Sequence, residues 1–274
     1  MKKLLILLLV IGFIWGFIVI NNEWVKTTEY EIASEEVPAA FDGAKIVQVT
    51  DLHDATFGEG QERLIKAVRK AEPDVIFLTG DLIDSNRYDL EASLVFVDAI
   101  VEVADVYYVL GNHEVATNRI GEITEALTLR GVHVLRNETA EWERGGETVQ
   151  LAGIDDPLMG NTISSETFTE HALAEAALAD RFTLLLAHRP EVLSVYAEAG
   201  IDVVFSGHAH GGQIRIPGVG GLIAPGQGWL PEMTKGIYEE GGTQLVLSSG
   251  LGNSVFPLRI FNVPEIVAVT LKKE

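Results

Sequence analysis

The sequence predicts an α/β fold in which two β-sheets lie between helices. Two observations carry this: eight short apolar segments read as strands, and three of the intervals between them carry apolar residues at helical spacing. A third is negative, since beyond the N-terminal segment there is no repeat, low-complexity stretch or linker that would split the chain. Alternating strands and helices belong to layered α/β domains, and so many strands call for two sheets.

Lys2 and Lys3 precede an apolar run from Leu4 to Ile20, which ends at Asn21, Asn22 and Glu23. A run of that length is at the short edge of what spans a bilayer as a helix. Trp15 and Trp24 suit an interface, and the two lysines favour a cytoplasmic N-terminus. A cleaved signal peptide is the rival reading, but no small-residue cleavage site follows the run. Residues 1–24 are therefore read as a membrane anchor (or signal sequence) and 25–274 as the folded region, outside the cytoplasm.

The strand candidates follow in order: 45–50 (KIVQVT), 74–79 (DVIFLT), 106–110 (VYYVL), 149–154 (VQLAGI), 182–187 (FTLLLA), 202–206 (DVVFS), 244–249 (QLVLSS) and 265–271 (EIVAVTL). Leu64, Ala67, Val68 and Ala71 share one face of a helix after the first. Leu90, Leu94, Val97 and Val101 do so after the second. Ile120, Ile123 and Leu127 mark a helix after the third, stopped at Gly131.

Composition narrows the function. A net charge of -20 opposes binding to a phosphate backbone, which needs clustered Lys and Arg, so no nucleic-acid partner is expected. The chain has no cysteine, which excludes disulfides and thiolate metal sites and leaves the redox compartment open. No obligate protein partner is evident.

Five of the strand candidates are followed by Asp, Asn or His: DLHD, GDLID, GNHE, HRP and GHAHGGQ. Ligands of open α/β sheets bind outside the carboxyl ends of strands, so these residues should converge on one crevice. Asp51 and His53 are two apart at a strand end and would point to one side, able to hold one cation. His208 and His210 share that spacing. On a strand their side chains start roughly 6.6 Å apart, wide for one ion and suited to two neighbours. Asp81 could bridge with one oxygen on each ion, and Asn112 offers a neutral carbonyl. Paired ions roughly 3.5–4 Å apart clamp the attacking and leaving oxygens of phosphoester hydrolysis. Imidazole in the donor set points to Mn, Fe or Zn over Mg or Ca, with Mn favoured.

Taken singly these residues have ordinary explanations. Asp51 could cap a turn, Asn112 is a natural turn residue, and His188 could open a helix. His133 and His171 read as packing or surface residues. Arg119, Arg189 and Arg259 read as surface or structural cations, Glu114 as a solvated group or one behind the ligands, and Glu141 to Glu147 as a solvated face.

The ordered set DLH, GDLID, GNHE, AHRP and GHAHGGQ resembles the calcineurin-like metallophosphoesterases. The stretches APGQGWLPEMTKGIY and SSGLGNSVFPLRIFNVPEI are similar to the bacterial, membrane-associated phosphodiesterase branch. The likeness implies a four-layer αββα sandwich of two mixed sheets flanked by helices, here preceded by one hydrophobic helix. It implies two divalent metal ions: one held by Asp51, His53, Asp81 and His210, the other by Asp81, Asn112, His188 and His208. A hydroxide bridging them would attack phosphorus, and His113 would stabilise the phosphoryl oxygens or protonate the leaving group. Departures are small. Thr50 stands where Ser is common, and Asp54 adds negative charge near the substrate.

The expected activity is thus phosphoester hydrolysis, with phosphodiesters favoured, on a small-molecule or lipid-linked substrate. A phosphomonoester or a UDP-diacylglucosamine-type pyrophosphate is the alternative. A non-catalytic, metal-stabilised interaction module would predict a lost ligand, and none is lost. A peptidase would need a glutamate base such as HExxH, which is absent.

Overall fold

The computed structural model describes residues 1–253 and 256–274; Ser254 and Val255, inside the C-terminal motif stretch, lie outside the described residues. Helix α1 (Lys2–Glu23) leads through two residues into strand β1 (Lys26–Ser34). Then follow β2 (Lys45–Val49), α2 (Glu62–Ala71), β3 (Val75–Thr79), α3 (Leu90–Ile100) and β4 (Asp105–Val109). The short α4 (Asn112–Ala116), α5 (Ile120–Thr128) and β5 (His133–Val134) complete the first half. The second half contains β6 (Glu138–Arg144), β7 (Glu147–Gly153), α6 (Ser165–Ala176), β8 (Thr183–Leu186), α7 (Leu193–Glu198) and β9 (Val203–Ser206). Two small ribbons come next, β10 (Arg215–Ile216) with β11 (Gly220–Gly221) and β12 (Ile223–Ala224) with β13 (Gly228–Trp229). The chain closes with β14 (Gly236–Glu240), β15 (Thr243–Leu247) and β16 (Glu265–Lys273).

Two six-stranded mixed sheets result, ordered β1-β16-β2-β3-β4-β5 and β14-β15-β9-β8-β7-β6. In each, the central strands run parallel, and an antiparallel pairing enters at β16–β2 in the first and at β14–β15 and β6–β7 in the second. Alternation along the strands builds the layers. In β3, Val75 and Phe77 face the opposite sheet, meeting Leu184, Leu186 and Phe205, while Ile76 and Leu78 face Leu64, Val68, Leu94 and Val97 of α2 and α3. On the far side, Leu185 and Val204 pack under α6 and α7 against Leu173 and Tyr196. Each such buried side chain contributes about 1.5–3 kcal/mol from water exclusion. This is the αββα sandwich that the strand count and family likeness predict.

Three long strands escaped the sequence reading: β1, β6 and β14. All three are sheet edges, where one side meets water, so they lack the apolar runs that mark buried strands. The acidic run Glu141 to Glu147 is a solvated face, as read, with its glutamates exposed. It forms the end of β6, a turn and the start of β7, with Glu141 accepting from Arg181 at 3.0 Å.

The apolar side chains of α1 are almost wholly exposed, but its C-terminal end is fastened to the domain. Asn21 is buried, and its Oδ1 accepts the Asn262 N–H at 3.1 Å. Asn22 Oδ1 accepts from Arg259 N at 2.8 Å and from Asn253 Nδ2 at 3.0 Å. Phe17 meets Phe261 edge to face at 5.0 Å.

Candidate metal centre

The loops leaving β2, β3, β8 and β9 meet at one edge of the sandwich. Asp51, His53, Asp81 and His210 bring donor atoms within 4.8 Å of one another, and so do Asp81, His188 and His208. All six are buried, and Asp81 belongs to both groups. Asn112 opens α4, and the backbone N–H of the adjacent His113 donates to Asp81 Oδ1 at 2.8 Å.

Two details differ from the spacing argument. Neither Asp51 and His53 nor His208 and His210 lie on a strand, because β2 ends at Val49 and β9 at Ser206. All four, and Asp81, adopt left-handed backbone with φ of 48° to 69°. Such conformations cost of order 1–3 kcal/mol each and persist only where surrounding contacts impose them, often at functional sites. Asp81 also differs. Its Oδ1 is occupied by the His113 N–H, whereas Oδ2 lies 3.2 Å from His188 Nε2 and 3.7 Å from His53 Nε2. Asp81 is thus the residue that faces both donor groups, as a shared ligand would.

The backbone is packed too closely here for side chains. A Cβ at Gly207 would collide with Thr50 Oγ1 and lie 2.5 Å from Asp51 Oδ2. At Gly111 it would collide with Asp81 Oδ1. Glycine at these two places allows the carboxylates to approach the neighbouring loops.

The donor set fits divalent cations. His188 Nδ1–H donates to the Thr79 carbonyl at 2.8 Å, which fixes the tautomer and leaves the Nε2 lone pair. That nitrogen and Asn112 Oδ1 are buried without a hydrogen-bond partner among the described residues. His53 Nε2 and His210 Nε2 face each other at 3.2 Å, with Asp51 Oδ1 3.5 Å from the latter. Buried polar atoms so arranged need a proton or cation between them.

Electrostatics agrees. Burial, with His53 and Arg259 charges adding, pushes His210 well below its ordinary value. Burial, with the Arg189 and His188 charges, does the same at His208. Burial brings His53 to about 4. These imidazoles are neutral at pH 7; His53 and His210 keep a lone pair for coordination, whereas that of His208 Nε2 faces Arg189 Nη1 at 2.8 Å. Burial alone would lower His188 too, but the Asp81 carboxylate raises it to about 10, so this pocket favours a positive charge. Burial raises Asp51 to about 6, with the Asp81 charge adding. At Asp81 burial is outweighed by His188, His53 and His113, which hold it well below the carboxylate range.

The readings of Glu114, Arg259 and Arg189, each left open between two alternatives, resolve here toward a buried or part-buried structural role. Glu114 is fully buried rather than solvated: its carboxylate accepts N–H bonds from Asp81, Ile83 and Gly111 at 2.9, 3.2 and 2.7 Å. The signal was available, since a glutamate three residues after a helix cap often reaches back to the cap N–H. Arg259 is also buried, holding the carbonyls of Ser249 and Gly252 and lying 3.4 Å from His210 Nδ1. Arg189 grips Asp156 through two nitrogens and sets Nη1 2.8 Å from His208 Nε2. Asp54 accepts from Asp84 N, Asp89 N and Ser93 Oγ, so its charge secures a loop, and it also lines the hollow beside His53. His171 and His133 are exposed, away from the centre, and Arg119 lies over the Tyr88 ring.

Comparison with known proteins agrees with this geometry. The profile of the calcineurin-like phosphoesterase family matches residues 44–212. The metallophosphoesterase YkuE of Bacillus subtilis (strain 168) is 31% identical over 255 residues, covering 90% of this chain and 86% of its own length. A transmembrane protein with metallophosphoesterase domain from Bos taurus is 28% identical, covering 89% of this chain and 56% of its own. Among solved structures, TT1561 of Thermus thermophilus shares the fold with a TM-score of 0.52 at 16% identity, over 76% of this chain and 90% of its own. Five sequence blocks, one converged cluster for two cations and a family profile spanning them lead to one conclusion: the chain belongs to the calcineurin-like phosphoesterase family and is built for metal-dependent phosphoester hydrolysis.

Proposed function

We propose that the protein is a phosphodiesterase using two divalent ions, manganese foremost, and acting outside the cytoplasmic face of a membrane that holds α1. Asp51, His53, Asp81 and His210 would hold one ion; Asp81, Asn112, His188 and His208 would hold the other. Bound there, the ions supply Lewis acidity toward the phosphoryl oxygens and activate water near neutral pH.

The chain's own groups do the rest. Ser85 N–H donates to His113 Nδ1 at 3.0 Å, so Nε2 carries the ring proton. His113 can give that proton to the oxygen that leaves phosphorus as the water oxygen bonds to it. Thr79 and Arg259 hold the rings of His188 and His210, which keeps the donors in place before substrate arrives.

The observation that favours a diester is the shape around the ligands. One hollow opens beside His53, lined by Arg87, Asp89 and Asn253, and a second opens beside His210, lined by Leu222, Ile223 and Trp229. A diester carries two organic arms, and two neighbouring hollows adjoin the clustered donors, one mostly polar and one mostly apolar. A monoester has only one arm.

The deciding assay treats the purified full chain with chelator, restores Mn, Zn or Mg, and compares bis(p-nitrophenyl) phosphate with p-nitrophenyl phosphate. Mn-dependent return of diester cleavage is expected; full activity in chelator alone, or a preference for the monoester, refutes the reading. Lys2 and Lys3 before the apolar helix support the outward orientation. Protease added to intact cells should digest the domain, and protection would reverse that placement.

A further inference from the structure

We propose that the groove running from His210 to Trp229 takes the acyl chain of a lipid phosphoester drawn from the same bilayer that holds α1. In this arrangement Trp229 and Leu230 sit in the bilayer surface. The inference rests on the phosphoesterase reading above and names the substrate class for that centre.

The groove has a volume of about 580 Å³, within the roughly 300–1,000 Å³ usual for small-ligand sites. Its inner end is His210, one of the clustered donors, and its walls are apolar, including Leu222, Ile223, Ala224 and Phe256. At its outer end Trp229 is 74% exposed, and the adjacent Leu230 is 61% exposed. Apolar side chains gathered on a surface in this way mark an interaction face, and tryptophan favours the membrane interface.

What covers this face follows from its attachment to α1. Asn22 Oδ1 accepts from Asn253, whose Oδ1 accepts from Gln213 on the groove wall at 3.1 Å. Two hydrogen bonds thus join the apolar helix to the groove. Only Trp24 and Val25 separate α1 from β1, and Trp24 is 63% exposed. A bilayer around α1 therefore lies beside the groove mouth, with no tether to carry the domain away. An acyl chain entering there would reach His210 with its phosphate toward the clustered donors. The net charge of -20 opposes approach to anionic surfaces, so a zwitterionic bilayer is the natural contact.

The test uses the full chain reconstituted in phosphatidylcholine vesicles with brominated acyl chains, which quench tryptophan emission within the bilayer. Trp142 is buried in the sandwich, and Trp15 and Trp24 belong to α1 and its end, so the difference between wild type and Trp229→Phe isolates Trp229. That difference emission should be quenched; equal brightness in brominated and plain vesicles overturns the seating.

In parallel, Leu230→Ser, beside the groove lining rather than in it, should cleave a micellar lipid phosphodiester about tenfold more slowly, the scale expected from lost apolar burial. Its cleavage of bis(p-nitrophenyl) phosphate should be unchanged. Equal loss on both substrates, or no loss on the lipid, overturns the acyl groove. If metal-loaded wild type cleaves neither substrate, the phosphoesterase reading fails and takes the acyl-chain assignment with it. The quenching result then reports the seating alone.

Discussion

Ser85 gives its backbone N–H to Nδ1 of His113 at 3.0 Å, and this one bond decides which ring nitrogen carries a proton. His113→Ala should then lower kcat for an alkyl-leaving diester by about 10² to 10⁴, the usual scale for a positioned acid. The loss should shrink for nitrophenyl esters, whose leaving group needs no proton. Bound metal should stay unchanged, measured by elemental analysis. An equal loss for both leaving groups would assign His113 a different role.

Asp81 presents the same oxygen, Oδ2, to His53 and His188. Asp81→Ala should therefore abolish Mn-restored cleavage and reduce the metal bound per chain at both positions, not only one. Retained full activity would count decisively against the paired-ion mechanism.

Gly207→Ala tests the tight packing behind Asp51. The new methyl would collide with Thr50 Oγ1 and stand 2.5 Å from Asp51 Oδ2, so these loops must part. Overpacking of this kind costs about 1–3 kcal/mol. Thermal unfolding should show a lower Tm, and metal binding should weaken because Asp51 moves. An unchanged Tm and metal affinity would show that the loops yield freely.

Glu265 is not among the clustered donors and supplies a pH dependence. Its carboxylate accepts from Thr28 Oγ1 at 2.6 Å and Ser249 N at 2.9 Å, with Lys235 Nζ 3.7 Å away. Burial would raise its pKa, but Lys235 and these hydrogen bonds outweigh that and hold it below the ordinary 4.5. A depressed folded-state value means a contribution present above the unfolded pKa and lost as pH falls through the folded one. Glu265→Gln should lower Tm near neutral pH and flatten its decline in acid, measured by circular dichroism. A parallel decline in both proteins would contradict this.

The buried parts of the fold were legible in the sequence because burial writes a pattern. β3 and β9 are apolar on both faces, one toward the other sheet and one toward helices, and read as unbroken apolar runs. β1 and β14 lie at edges, so Glu29, Glu31, Glu239 and Glu240 conceal them. The site residues were visible because strand ends followed by Asp, Asn or His are chemically unusual. Their geometry was hidden: left-handed backbone at Asp51 or His208 depends on contacts with loops far along the chain, such as the Asp51 carboxylate accepting the His208 N–H. Arg259 stayed open between a surface and a structural cation for a related reason, since a cation that binds buried carbonyls looks in sequence like any surface arginine.

Strand β1 has one neighbour, β16, and the hydrogen bond from Thr28 to Glu265 spans 237 positions. The first sheet therefore cannot close its edge while the ribosome still holds the later strands, however early β2 and β3 meet. Such distant pairing is slow to form. A chain of this design leaves the ribosome with β1 unpaired beside an apolar helix, and that edge stays open until β16 arrives.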